Sequence, residues 1–296
     1  MSIKSILCLY NGEPSEADTL DTAMELARQH GAQLRVLQVR LPLTAYPELC
    51  AVVMYGQDIT GEGPSLDGLV KANRTELETA EAAVEAAARS RQLPFDKSGT
   101  AKADGLPRVS FASLTSMPGD CLPCEGRATD LIVAGRTNGD ADLAAVLTCV
   151  STTGRPTLVM PSSSGERRAP PKPKSAVVAW DGSLEAARAL GFALPLLDSG
   201  VGVELVSIAE HGEVSKLVNI DGVKAWLASH GIAPRMTTLE NHGPSVGRML
   251  LDHCEAGNAD MLVMGAYGHD HIKEFIMGST TSYILKHATL PLLLAA

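Results

Sequence analysis

Lys174-Ser175-Ala176-Val177-Val178-Ala179-Trp180-Asp181-Gly182 repeats the pattern of Lys4-Ser5-Ile6-Leu7-Cys8-Leu9-Tyr10-Asn11-Gly12: a short apolar run, an aromatic, then Asx-Gly. Each stretch predicts a buried first strand that ends in a turn. An Ala/Leu-rich helical pattern follows each, over 17–30 and 184–197, and then a second apolar strand, over 34–39 and 203–208. Near the end of each half, Ala128-Thr129-Asp130-Leu131-Ile132-Val133-Ala134-Gly135 matches Asn258-Ala259-Asp260-Met261-Leu262-Val263-Met264-Gly265, again strands that stop at glycine. Pro156-Thr157-Leu158-Val159-Met160 and Pro291-Leu292-Leu293-Leu294-Ala295 close the two halves with a further strand.

Strands alternating with helices imply right-handed crossovers and a parallel sheet covered on both faces. The expected fold is therefore α/β: two Rossmann-like domains, each a mostly parallel five-stranded sheet with helices on both faces. Domains are expected over 1–161 and 175–296, with a polar, proline-rich linker over 162–174. The halves differ in the middle. Residues 41–65 form an irregular insertion and 66–91 a long Ala/Glu-rich helix, whose counterpart at about 216–229 is shorter.

Two domains also suit a chain of 296 residues. A net charge of −9 opposes the phosphate attraction on which nucleic-acid binding rests, so no nucleic-acid partner is expected. The first residues run straight into a strand pattern and no apolar run of about 18 residues occurs, which predicts a cytoplasmic protein without a membrane partner. Six dispersed cysteines read as reduced thiols.

Ligands of open parallel sheets bind beyond the strands' carboxyl ends. There the second half carries Gly265-Ala266-Tyr267-Gly268-His269-Asp270-His271, then Gly278-Ser279-Thr280-Thr281 opening an apolar-periodic helix. A helix N-terminus presents unpaired amides and a positive dipole end, and glycine lets phosphate oxygens approach the backbone. Ser279, Thr280 and Thr281 add hydroxyl donors. This chemistry suits phosphate.

The spacing Gly-x2-Gly-x9-Gly-Ser, met by Gly265, Gly268, Gly278 and Ser279, resembles the ATP-binding motif of the universal stress protein family. The likeness covers both halves in strand order but is confined to the second half at motif level. It implies ATP, with Mg as an accompanying ion, held by Asp181 at the ribose or adenine, Ile208 beside the ring and Met264 against the base. Gly268, Gly278, Ser279 and Thr280 would then hold the phosphates, with Trp180, Gly182, His269 and Thr281 completing the cofactor set. Taken alone, Asp181-Gly182 reads equally as a turn or a ligand. The family commonly dimerises through its last strand, which implies intrachain pairing of the two halves or a homodimer.

The first half departs from the motif. After Gly135 come Arg136-Thr137-Asn138-Gly139-Asp140-Ala141-Asp142, with no Gly-Ser at the proper distance, and Asn11 replaces the acid. Two carboxylates where phosphates would sit predict repulsion, hence a degenerate site whose half is kept for structure or for a different ligand. Cys121-Leu122-Pro123-Cys124 has the spacing of a redox or zinc pair, but without a second pair it reads as inert thiols. His269-Asp270-His271 reads as a solvated loop rather than a metal site, and no catalytic triad or Walker lysine motif is present. The expected function is a stress-response protein that binds an adenine nucleotide. A weak ATPase on the same loop and a ligand-free scaffold are the rivals.

Overall fold

The computed structural model describes residues 2–42, 45, 66–97, 106–136, 140–162, 173–197, 200–210, 213–214, 219–241, 245–266 and 278–296. The first half contains strands β1 (Ser5–Leu9), β2 (Gln33–Arg40), β3 (Phe95–Asp96), β4 (Arg108–Thr115), β5 (Leu131–Gly135) and β6 (Thr157–Met160). Its helices are α1 (Ala17–His30), α2 (Leu66–Ser90), α3 (Pro118–Arg127) and α4 (Asp140–Thr152). The second half contains β7 (Ser175–Ala179), β8 (Gly202–Glu210), β9 (Glu213–Val214), β10 (Arg235–Glu240), β11 (Met261–Gly265) and β12 (Leu292–Ala295). Its helices are α5 (Leu184–Ala193), α6 (Ile220–Ser229), α7 (Val246–Ala256) and α8 (Ser279–His287).

The expected α/β class and five-stranded parallel halves are found, each half gaining one two-residue strand. All described strands join in one sheet of order β10-β8-β7-β11-β12-β6-β5-β1-β2-β4-β3, with β9 on β8. The halves meet where β12 runs antiparallel to β6, Leu293 opposite Leu158. Because that contact is antiparallel, the carboxyl ends of the two sets of strands point in opposite directions.

Alternation along the strands builds two apolar layers. Ile6, Cys8, Val178 and Val263 face a cluster with α1, α2, α5 and α6. Leu7, Leu9, Val177 and Leu262 face the opposite cluster with α3, α4, α7 and α8. Both faces are therefore dry, as a parallel sheet requires. The acid shared by the repeated motifs has a structural task in each half. Asp130 Oδ2 accepts from the Lys4 and Ser5 amides at 2.8 and 3.0 Å, and Asp260 Oδ2 from the Lys174 and Ser175 amides at 2.9 and 3.1 Å.

Some boundaries differ from expectation. The helix after Asp181 ends at Ala193 and tightens into a 3-10 turn, Leu194–Leu196, where Pro195 occupies its first turn. The short counterpart of α2 starts at Ile220, after the Asn219 side chain accepts the Gly222 amide at 3.0 Å. Most of the 41–65 insertion lies outside the described residues. No described helix is long and apolar enough to cross a membrane.

Candidate functional site

In each half the first strand lies between the second and the fifth: β1 pairs with β2 and β5, and β7 with β8 and β11. The crossovers leave it in opposite directions, which opens a crevice at the carboxyl ends of the two inner strands. In the second half this edge carries Trp180, Asp181 and Gly182 after β7, Ile208 late in β8, and Met264 and Gly265 at the end of β11. The structure thus brings these predicted residues to one edge. Gly268 and His269 lie outside the described residues.

Asp181 and Gly182 form a turn. The Ser183 amide donates to Asp181 Oδ1 at 2.9 Å, and Gly182 has φ +78°, a left-handed conformation that favours glycine. Ser183 then caps α5 by accepting the Ala186 amide at 3.1 Å. Met264 is buried and Ile208 half-buried, both against the α7/α8 layer, whereas Trp180 packs against the α5/α6 layer. A cavity of about 260 Å³ lies between those two helices, lined by Trp180, Leu190, Val223 and Trp226.

The glycines divide by role. A Cβ on Gly265 would stand 2.6 Å from the Ala186 nitrogen and 2.7 Å from the Glu185 carbonyl carbon, so the first turn of α5 packs directly on it. Gly135 is matched by Thr19, whose Oγ1 would stand 2.8 Å away. The glycine that ends each of these strands is therefore required by helix-on-strand packing, a reason the motif alone does not disclose. Gly278 has open space around it among the described residues and is the N-cap of α8. Lacking a side chain, it caps no amide, and the first amides of α8 have no helical acceptor of their own. Ser279 is exposed, Thr280 half-buried and Thr281 buried, so the hydroxyls are progressively withdrawn along the turn.

The first half is arranged differently. Gly12, at φ +95°, is the counterpart of Gly182, and Glu16, four residues on, occupies the place of Ala186. Glu16 is only 3% exposed. Its Oε2 accepts the amides of Asn11 and Glu13 at 2.8 and 3.2 Å, and its Oε1 accepts Asn11 Nδ2 at 3.3 Å. Gln38 Nε2 donates to the Asn11 carbonyl at 3.1 Å while Ser113 Oγ donates to Gln38 Oε1 at 3.1 Å. At the corresponding place in the second half, Ser207 Oγ donates to the Trp180 carbonyl at 2.7 Å. Asp140 and Asp142 fall in the first turn of α4. Aligning the two repeats shows the Glu16/Ala186 and Gln38/Ser207 differences, but not that the carboxylate is buried.

Cys121 is buried and Cys124 exposed on one turn of α3, both as free thiols. Among the described residues no group of three or more His, Cys, Asp or Glu is placed to hold a metal.

Residues 173–295 match the model of the universal stress protein family. A universal stress protein of Synechocystis is 26% identical over 117 residues, which is 39% of this chain and 40% of that relative. The chain thus spans less than half the length of the curated relative it matches. Among solved structures, a universal stress protein of Archaeoglobus fulgidus superposes with a TM-score of 0.67 at 15% identity, covering 98% of this chain and 95% of that one. A Pseudomonas aeruginosa structure bearing the same family name gives a TM-score of 0.58 at 14% identity, covering 99% and 93%. At such identities the structures speak for the fold, which extends the likeness over the first half; the sequence match is carried by the second. Residues 173–295 thus form a domain of the universal stress protein family.

Proposed function

We propose that the second half holds ATP, with Mg as its counter-ion, at the carboxyl edge between β7 and β11, and that the protein acts as a nucleotide-binding stress-response module of the cytoplasm. The observation that carries this reading is the start of α8: among the described residues Gly278 opens the helix without a capping side chain and with space beside it, and Ser279 is exposed. Uncapped amides at a dipole's positive end favour an anion. Asp181 sits across the same edge, where its carboxylate suits ribose hydroxyls or an adenine amine. Met264 and Ile208 supply the apolar wall, and Gly268, His269 and Thr280 complete the phosphate contacts.

In this reading the chain is two domains, 1–161 and 175–296, joined by the 162–174 linker and working as an intrachain pair. The β6–β12 seam supports that arrangement, since it satisfies backbone groups that would otherwise be a bare edge. A homodimer would then use another surface.

The test is direct. Protein purified and denatured releases ATP, seen by mass spectrometry, and ligand-free protein binds it saturably. Gly278→Asp introduces a carboxylate at the phosphate position and weakens ATP about tenfold or more, while a better N-cap leaves the fold as stable or more so. Asp181→Ala also weakens it. Steady phosphate release that these variants abolish makes the protein a slow hydrolase, and absence of any saturable nucleotide binding overturns the reading in favour of a scaffold.

A further inference from the structure

We propose that Glu16 is a tethered ligand: its carboxylate occupies the anion-accepting turn of the first half and closes that half to external anions. The two crevices are built on one plan, with Asx-Gly at positive φ after the first strand and a glycine ending the fifth. Among their differences is the residue that leads into or opens the first helix: Glu16, at the end of the 3-10 turn Pro14–Glu16 before α1, and Ala186, in the first turn of α5. Where the second half has the methyl of Ala186, the first has a carboxylate 3% exposed to solvent.

That carboxylate has the hydrogen bonding of a bound anion. Two main-chain amides, from Asn11 and Glu13, converge on Oε2 at 2.8 and 3.2 Å, and Asn11 Nδ2 reaches Oε1 at 3.3 Å. Its charge is felt by its neighbours: burial, and then the charge of Glu16, raise both the Cys8 thiol and the Tyr10 phenol. The turn is fixed from its other side as well, since Gln38 donates to the Asn11 carbonyl at 3.1 Å and is itself 2% exposed. In the second half the amide of Ser183, the counterpart of Glu13, turns instead to Asp181 of its own turn. The amide donors that an exchangeable anion would need are thus already used in the first half by a residue that cannot diffuse away. The chemistry of the position is that of a small planar carboxylate, with two oxygens and a single charge. One exchangeable crevice per chain is the consequence, whatever the second half binds.

The experiment uses the full chain with Glu16→Ala and Glu16→Gln, and formate and acetate as probes against chloride at constant ionic strength. Glu16→Ala takes a charged acceptor from the amides of half-buried Asn11 and exposed Glu13 and is less stable than the parent. Formate then restores it saturably: with a Kd of about 10 mM, 100 mM formate shifts the folding equilibrium by roughly 11-fold in the variant, and by less than about 2-fold in the parent, whose turn is filled. Should Glu16→Ala fold only when formate is present, that too supports the proposal. Glu16→Gln keeps an oxygen acceptor but loses the charge and adds a donor facing the amides, so it folds with reduced stability and gains little from formate. Equal effects of formate on parent and Glu16→Ala, no formate effect on either, or a Glu16→Gln chain as stable as the parent would overturn the proposal.

Discussion

Arg136 Nη2 donates to the main-chain oxygen of Ala288, and Nη1 of the same guanidinium donates to that of Leu285. The donor follows β5 in the first half, and the acceptors end α8 in the second. Terminal helix carbonyls lack intrahelical partners, and an arginine fork at a C-terminus satisfies them while complementing the dipole. The antiparallel seam makes this possible, because it sets the carboxyl edge of one half beside the amino edge of the other. The second half has Ala266 at the position of Arg136, so the tie runs one way only. Burial pulls the Arg136 pKa below its usual value, a sign that the group sits out of water.

Removing this fork should therefore cost more than a surface change. Hydrogen bonds from charged donors contribute about 1.5–3 kcal/mol each, and two from one guanidinium are less than additive, so Arg136→Ala is expected to lose about 2–4 kcal/mol in denaturant unfolding. Arg136→Lys, with one compact ammonium, should recover only part. Amide exchange at the end of α8 should accelerate in the alanine variant, and wild-type protection there would show that the fork does not hold the helix.

The glycines give an ordered series. Gly265→Ala places a methyl 2.6 Å from a backbone nitrogen of α5, so the helix must move, at about 1–3 kcal/mol. Gly135→Ala meets a side-chain hydroxyl that can rotate, at 2.8 Å, and should cost less. Gly278→Ala meets nothing within 4 Å among the described residues and keeps a φ of −55° open to any residue, so it should cost under about 1 kcal/mol. Denaturant midpoints in any other order would mean that packing is not what selects glycine at 265.

Strand order was legible because β1, β5, β7 and β11 are unbroken apolar runs bounded by turn residues, a pattern only doubly covered strands carry. The fourth strand of each half, β4 and β10, has no such signature. Arg108–Thr115 and Arg235–Glu240 lie at or near the sheet's edges, mix polar and apolar residues, and are recognisable mainly by the partners they find. At the site, Asp181 and the start of α8 follow from local turn and capping chemistry. Gln38 and Arg136 do not: each acts on a backbone group that only the folded chain brings near. Glu16 bonds within five residues of itself, in part as a capping box, so its contacts are local while its burial is not. The sequence shows which motif residues the first half lacks, and the structure shows a buried carboxylate, Glu16, on the turn after its first strand.

Glu204 links stability to acid. Burial on its own would raise its carboxyl, but hydrogen bonds from Arg235 Nη2 at 2.8 Å and Thr237 Oγ1 at 2.5 Å, with the charges of His253 and Arg235, outweigh it and hold the pKa below the usual range. A depressed carboxyl contributes stability that is fully present above its unfolded pKa, about 4.3, and is lost as pH falls through the folded value. Glu204→Gln should thus be less stable than the parent at pH 7, with the gap closing towards pH 3. A gap that stays constant in urea titrations across that range would show that the charge is not what stabilises the β8–β10 edge.

Thiol chemistry separates the cysteines more sharply than their spacing does. Burial, aided by neighbouring charge, pushes Cys149 and Cys254 up to about 12, and Cys8 higher still. Since only the thiolate reacts, a pKa near 12 leaves about one thiol in ten thousand reactive at pH 8. Burial raises Cys121 too, while Cys124, one turn along α3, is exposed. Alkylation of the native protein at pH 8, read site by site by peptide mass spectrometry, should label Cys124 at least about 100-fold faster than Cys8, Cys149 or Cys254, and faster than Cys121. Cys50 lies outside the described residues and is scored separately. The same contrast argues against a working redox pair, in which a second thiolate must attack the sulfenic acid formed at the first and release water, a step that the raised pKa of buried Cys121 slows: mild peroxide should leave Cys121 reduced while Cys124 oxidises. Rapid loss of both thiols together, with a mass two hydrogens lower for their shared peptide, would establish the pair instead.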